Sequence, residues 1–169
     1  MRWNPFICLL LLILQSGAAS AQKNNDVMGS WASNGSIFRV YEENGRLHGR
    51  VEAVKDAVYL SEEDPARAGQ IRLDDMNPDD VLKKRPLVGI EMFSEYRIKD
   101  GQWQGLIYDP ESGKTYQSKM KVATDGRLEI RGYIGIPMFG RTSKFQPVKA
   151  CSEEIQQLLA MMNNSQTCS

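Results

Sequence analysis

The sequence predicts a mainly β protein, a single antiparallel barrel of about eight strands. Three observations carry this expectation. Apolar and polar residues alternate at period two over most of the chain, Asn-Gly, Asp-Gly and Pro-containing turns punctuate the alternation, and about eight such segments fall within the length of one domain.

Residues 1–21 stand apart from this pattern. Met1 and Arg2 give a positive start, residues 6–14 are apolar apart from Cys8, and Ala19-Ser20-Ala21 forms a small-x-small cleavage pattern before Gln22. The apolar run is well short of the roughly 20 residues that span a bilayer. The expectation is a secretory signal peptide cleaved after Ala21, leaving a periplasmic protein of about 148 residues without stable membrane insertion. Cys8 lies inside the apolar run rather than after it, so a lipid anchor is not expected.

The barrel domain is expected over 22–150. Its first strand, 29–33, carries Trp31, read as a structural plug at the closed end lying beneath the guanidinium of Arg131 or Arg141. Residues 37–42 lead into Asn44-Gly45, a two-residue hairpin signal. Beyond it Leu47, Gly49, Val51 and Ala53 face one way, and His48, Arg50 and Glu52 the other. Residues 54–77 are charged and aperiodic and read as an exposed excursion, with a helical turn near 61–66, placed to cover one barrel mouth. A short helix is expected before the fourth strand. Asn77 suits its N-cap, Pro78 its first position, Asp79 and Asp80 its positive end, Lys83, Lys84 and Arg85 its negative end, and Pro86 stops it.

A long strand over 87–98 ends at Asp100-Gly101, and 103–108, with Trp103 as a second structural aromatic, leads to a proline-initiated turn over 109–113. From 114 to 122, Tyr116, Ser118, Met120 and Val122 oppose Thr115, Gln117, Lys119 and Lys121. After Asp125-Gly126, Leu128, Ile130 and Ile134 oppose Arg127, Glu129, Arg131 and Tyr133, and the last strand runs from about 142 to 148. Residues 151–169 read as a C-terminal amphipathic α-helix and tail, with Glu153 and Glu154 in the first turn and Ile155, Leu158, Leu159 and Met162 on one face. Cys151 and Cys168 form an even pair in an oxidising compartment, so a disulfide between them is expected, with two free thiols as the alternative.

Several chemistries are poorly supplied. Lys and Arg number 21 and Asp and Glu number 21, so no basic field attracts nucleic acid. The single histidine, His48, has no companions at metal-ligand spacing and no nucleophile motif, so neither a metal nor another cofactor is expected. Asp75-x-Asn77-x-Asp79 opens like a calcium loop, but position six is Asp80 and position twelve Pro86. The glycines of Arg131-Gly-Tyr-Ile-Gly-Ile-Pro-Met-Phe-Gly-Arg141 fit no phosphate-binding pattern; they read as a barrel corner holding apolar residues at the rim.

Some of these residues also resemble a known family. Asn77-Pro-Asp, Arg85-Pro-Leu-Val-Gly89, Trp103-Gln-Gly-Leu-Ile-Tyr-Asp-Pro110, Gly113-Lys-Thr-Tyr116 and Arg131 to Thr142 are similar to the exported bacterial family DUF2147. The resemblance implies a lipocalin-like barrel in the envelope of Gram-negative bacteria and brings no catalytic residues with it.

The leading functional expectation is a non-catalytic binding module for a small apolar or amphipathic ligand. Its candidate contacts are Tyr108, Asp109, Lys114, Tyr116, Met120, Arg131, Tyr133, Ile136, Phe139 and Arg141. Two rivals stand beside it: an envelope interaction or assembly factor using the outer barrel face or the terminal helix, and an enzyme built on the Tyr, Asp, Lys and Arg side chains of the rim. The interior volume of the barrel discriminates among them: a cavity of roughly a few hundred Å³ supports ligand binding, and a filled core argues for a surface role.

Overall fold

A computed structural model describes residues 26–33, 35–148 and 156 of the chain. Eight strands form a closed antiparallel barrel in which each pairs with its sequence neighbours and the last returns to the first. They are β1 (Gly29–Ser33), β2 (Ser36–Glu43), β3 (Arg46–Val54), β4 (Glu91–Lys99), β5 (Gln102–Asp109), β6 (Lys114–Val122), β7 (Leu128–Tyr133) and β8 (Arg141–Pro147). The signal peptide, the C-terminal helix except for Gln156, and the Cys151–Cys168 pair of the sequence reading lie outside the described residues.

Local chemistry sets the hairpins. Asn44 and Gly45 have φ of 52° and 73°, and Asp100 and Gly101 have φ of 52° and 72°. Two successive positive φ values are what a type I′ turn needs to match the twist of its strands. Up-and-down order then assigns the connections to opposite ends. These two short turns and the β6–β7 turn lie at one end, and the β1–β2, β3–β4, β5–β6 and β7–β8 connections at the other. That second end, the mouth, carries the long excursion between β3 and β4.

Inward alternation fills the barrel with its own side chains. Leu47, Val51 and Ala53 are buried on β3, Ser118 and Met120 on β6, and Leu128 and Ile130 on β7. Phe38 meets Phe93 and Phe145 edge-on at centroid distances of 4.6 and 4.7 Å. Two glycines make room for these rings: a Cβ on Gly49 would sit 2.3 Å from Phe93 Cδ2, and one on Gly105 would sit 2.5 Å from Tyr96 Cδ2. Tyr96, fully buried, shares a hydrogen bond with Ser118. Among the described residues every buried side-chain nitrogen and oxygen has a partner. The strands present charge outward, through Arg39, Arg50, Glu91, Lys119 and Arg131, the reverse of a barrel whose outer face meets lipid.

Two local expectations need correction. The segment before β4 is a single 3-10 turn at Leu82–Lys84 rather than an α-helix. Asn77 Oδ1 accepts from the Asp79 amide at 3.0 Å and Asp79 Oδ1 from the Val81 amide at 2.8 Å, so side chains satisfy the backbone through local turns before a helical ladder begins. The expected turn of helix near 61–66 is present as a single turn, the Asp64 amide donating to the Leu60 carbonyl at 3.0 Å, and Asp64 Oδ1 then accepts from the Ala66 and Arg67 amides. On β7, Tyr133 is buried and Ile134 is 75% exposed, opposite to the alternation read from the sequence. The β7–β8 link folds back, with Gly140 packed so tightly that a Cβ there would lie 2.9 Å from Tyr133 Cβ.

Candidate functional site

The excursion over 55–90 covers the mouth because side chains far apart in sequence bind one another there. Asp74 and Asn77 are 0% and 4% exposed although both are polar. The Asp74 carboxylate accepts from Tyr108 Oη at 2.7 Å, Asn77 Nδ2 at 2.8 Å, and Arg85 Nε and Nη2 at 3.0 and 2.9 Å. Asn77 Nδ2 also donates to Tyr108 Oη at 3.0 Å, and the Arg85 guanidinium lies 5.6 Å from the Tyr108 ring centroid. Burial, and then the hydrogen bond to Asp74, push the Tyr108 hydroxyl up to about 12, so it stays a donor. The Gly113 position of the β5–β6 turn lies against the same segment: a Cβ there would sit 1.8 Å from the Met76 carbonyl oxygen.

A second cluster organises the outer part of the excursion. Tyr59 donates to Asp75 Oδ2 at 2.6 Å and accepts from the Leu73 amide at 3.0 Å, while the Arg67 guanidinium lies 3.9 Å from its ring centroid. Arg67 pairs with Asp64 at 2.5 Å and Asp75 at 2.9 Å, and holds the Asp75 carboxyl below the usual carboxylate range. Arg72 pairs with Glu63, lowering its pKa, and donates to the Asp56 carbonyl at 2.9 Å.

Between this scaffold and the strand ends lies a pocket of about 530 Å³, spanning the mouth from Gly35 at the β1–β2 turn to Glu111 at the β5–β6 turn. Val51 and Ile90, both buried, and Met92, which packs against the barrel core, supply one apolar side, and Leu73, Met76 and Leu87 supply apolar surface from the excursion. Lys55, Asp56, Glu63, Arg72, Asp75 and Asp109 add charge around it. The arrangement suits a molecule with an apolar body and a polar end.

Of the ten candidate contacts named from the sequence, the structure brings Asp109 alone onto the wall of this pocket. Tyr108 binds the Asp74 network, and Met120 is buried in the barrel core. Tyr116 is half-buried with its hydroxyl 3.4 Å from Ser112 Oγ, and Lys114 pairs in register with Asp109 on an exposed position. Arg131 is a clamp: its Nε donates to the Pro137 carbonyl at 2.7 Å, its Nη2 to the Met138 carbonyl at 3.1 Å and its Nη1 to Thr142 Oγ1 at 2.9 Å. It therefore holds the 3-10 turn Pro137–Phe139 and does not cover Trp31. Arg141 is exposed, and Trp31 is buried in the core with its indole donating to the Val27 carbonyl at 2.9 Å, so the cation–π partner expected for it is replaced by a hydrogen bond. Trp103 packs against the core. Ile136 and Phe139 sit with Ile134 and Met138 on the exposed β7–β8 link, Phe139 being 81% exposed, and Tyr133 is buried under that link.

The residues that order the excursion over the pocket, Asp74, Asn77, Arg85, Tyr59 and Arg72, were absent from the sequence-derived contacts because the excursion has no periodicity to mark an inward face. One signal pointed to it: Asn77, Arg85, Tyr108 and Gly113, taken from separate motifs of the family resemblance, meet in this network.

Comparison with known proteins follows this geometry. The family model described as an uncharacterized protein conserved in bacteria, DUF2147, matches residues 24–146. Among solved structures the chain is similar to protein HP1028 of the human pathogen Helicobacter pylori, which is described as belonging to the lipocalin family. Identity is 20%, the match covers 78% of this chain and 88% of that one, and the TM-score is 0.58. No curated protein matches the chain.

Proposed function

We propose, from the premise that this chain belongs to the DUF2147 family of bacterial proteins, that it is a binding module whose ligand is a small amphipathic molecule. The observation that carries this reading is the pocket of about 530 Å³, apolar toward the core and polar toward its rim. Its size falls within the range of roughly 300–1,000 Å³ that accepts small organic ligands. The barrel interior itself is filled by Phe38, Phe93 and Tyr96, so binding belongs to the mouth rather than to a deep central calyx. Export through residues 1–21 is part of the proposal, supported by the charge, apolar run and cleavage pattern of that segment, and it places the module in the periplasm.

Protein purified from its native envelope, extracted with organic solvent and analysed by mass spectrometry, tests the reading. A small molecule should be released from the wild type and be depleted in Leu87→Gln, which puts an amide on the apolar side of the pocket. A wild type carrying nothing, and taking up no amphipath added afterwards, overturns it.

A second reading, an interaction factor, has one observation in its favour. Ile134, Ile136, Met138 and Phe139 are exposed together on a link that Arg131 keeps ordered. A photo-crosslinking residue at Phe139 should trap a defined partner in cells if this surface is used, and a uniform lack of adducts dismisses it.

A further inference from the structure

We infer that the pocket selects an amphipathic organic cation, an apolar chain or ring system ending in an ammonium, amidinium or quaternary nitrogen. This rests on the ligand-binding reading of the pocket and adds the charge of what enters it. The wall carries five carboxylates, on Asp56, Glu63, Asp75, Asp109 and Glu111, against the two cations of Lys55 and Arg72. The ion pairs decide which of these remain available. Glu63 is taken by Arg72, and Asp75 by Arg67 together with the Tyr59 hydroxyl. Arg72 is further committed to the carbonyls of Asp56 and Val58.

Asp56, Asp109 and Glu111 remain with no ion pair among the described residues. Asp109 accepts from the Glu111 amide at 3.0 Å and the Ser112 hydroxyl at 2.6 Å, neutral donors that orient the carboxylate and leave its charge uncompensated. Lys114, the register partner of Asp109, is not on the pocket wall. Three carboxylates and a single lysine, Lys55, therefore line a space whose apolar walls include Val51, Ile90 and Met92. Apolar walls raise the effective strength of that field, so an anion is repelled, a neutral amphipath gains only apolar burial, and a cation gains both burial and attraction.

A bare metal ion does not suit this lining. Among the described residues no three Asp, Glu, His or Cys side chains converge as a metal cage, and half of the lining is apolar surface that a hydrated ion cannot use. The carboxylates come from the start of the β3–β4 excursion and from the β5–β6 turn, which spreads the charge over the opening instead of concentrating it at a point.

Three probes sharing one alkyl chain separate charge from burial: octylammonium, octanoate and 1-octanol, titrated near neutral pH into the full-length exported protein and followed by amide NMR shifts. Octylammonium should shift the amides of Lys55, Asp56, Asp109 and Glu111 together with those of Val51 and Ile90, and bind about tenfold or more tightly than 1-octanol, while octanoate gives no saturable shift. Raising salt from about 50 mM to about 500 mM should erode that advantage, since the screening length shortens severalfold. The double variant Asp56→Asn/Glu111→Gln alters surface carboxylates outside the Asp74 network; it should bring octylammonium affinity down to that of 1-octanol measured on the same variant, with the melting temperature unchanged.

If 1-octanol binds as well as octylammonium, or octanoate binds best, the charge inference is overturned while the pocket reading stands. If none of the three shifts the pocket amides, both fall.

Discussion

Tyr108 on β5 donates its phenolic hydrogen to Asp74, 34 positions earlier in the chain, at 2.7 Å, and this bond ties the excursion to the barrel wall. Asp74 has no exposed surface, and its carboxylate also receives Asn77 and both Nε and Nη2 of Arg85. Removing the acceptor leaves four donor groups on three side chains without it, so Asp74→Ala is expected to cost about 3–5 kcal/mol. Tyr108→Phe removes one donor among several and should cost about 1 kcal/mol. Urea midpoints measure both. The double variant should cost less than the sum of the two, because the residues share one network; strict additivity would show that the bond carries no coupling.

The same tyrosine gives the protein an alkaline signature. With its hydroxyl raised from an ordinary value near 10 to about 12, first by burial and then by Asp74, the folded state keeps a proton that the unfolded chain releases. That contribution to stability is complete below about pH 10 and is lost as pH climbs toward about 12. Tyr96 is also raised, by burial, and adds to the loss. Stability measured at increasing pH across that window should decline less steeply in Tyr108→Phe than in wild type. Equal slopes would remove Tyr108 from the account.

Gly49 and Gly105 are expected to tolerate no side chain while Phe93 and Tyr96 keep their rings in place, since an added Cβ would lie 2.3 and 2.5 Å from them. Gly49→Ala should cost roughly 1–3 kcal/mol, the usual penalty of overpacking. Pairing it with Phe93→Leu should recover part of that loss. If the pair is no more stable than the sum of its parts, the contact is not the cause.

At Gly113 the obstacle is backbone rather than a ring. Its φ is 67°, and an added Cβ would lie 1.8 Å from the Met76 carbonyl oxygen, which has no freedom to rotate away. Gly113→Ala should therefore lift the excursion while the strands persist. Limited proteolysis is expected to cut within 55–90 sooner than in wild type, with little change in the β circular dichroism signal. A cleavage pattern matching wild type would show that this contact does not seat the excursion.

The difference between the strands and the mouth explains what could be read from the residues alone. On β3 the alternation of Leu47, Gly49, Val51 and Ala53 with His48, Arg50 and Glu52 states the inward face directly, and Asn44-Gly45 states the turn. The family and the eight-stranded barrel followed from such local features. Asp74 has no comparable marker: an aspartate in a charged, aperiodic stretch looks solvated until its partners arrive from β5 and from Arg85. Tyr133 failed for a related reason, since period two describes the strand but not the link that folds over it. Hence the excursion could be assigned to the mouth, whereas the side chains shaping the pocket beneath it could not.

Closure of the barrel rests on its shortest pairing. Among the described residues β1 and β8 meet at Trp31 with Pro147 and Ala32 with Gln146, extended by the Val148 amide donating to the Ser30 carbonyl at 2.9 Å, and Pro147 brings no amide hydrogen to the join. Like a belt, the ring has a buckle, and thermal breathing should begin there before any other pair of strands parts. For as long as it is undone, two strand edges that the closed ring hides are available to another copy, which makes this junction the natural starting point for strand exchange when the protein is concentrated or warmed.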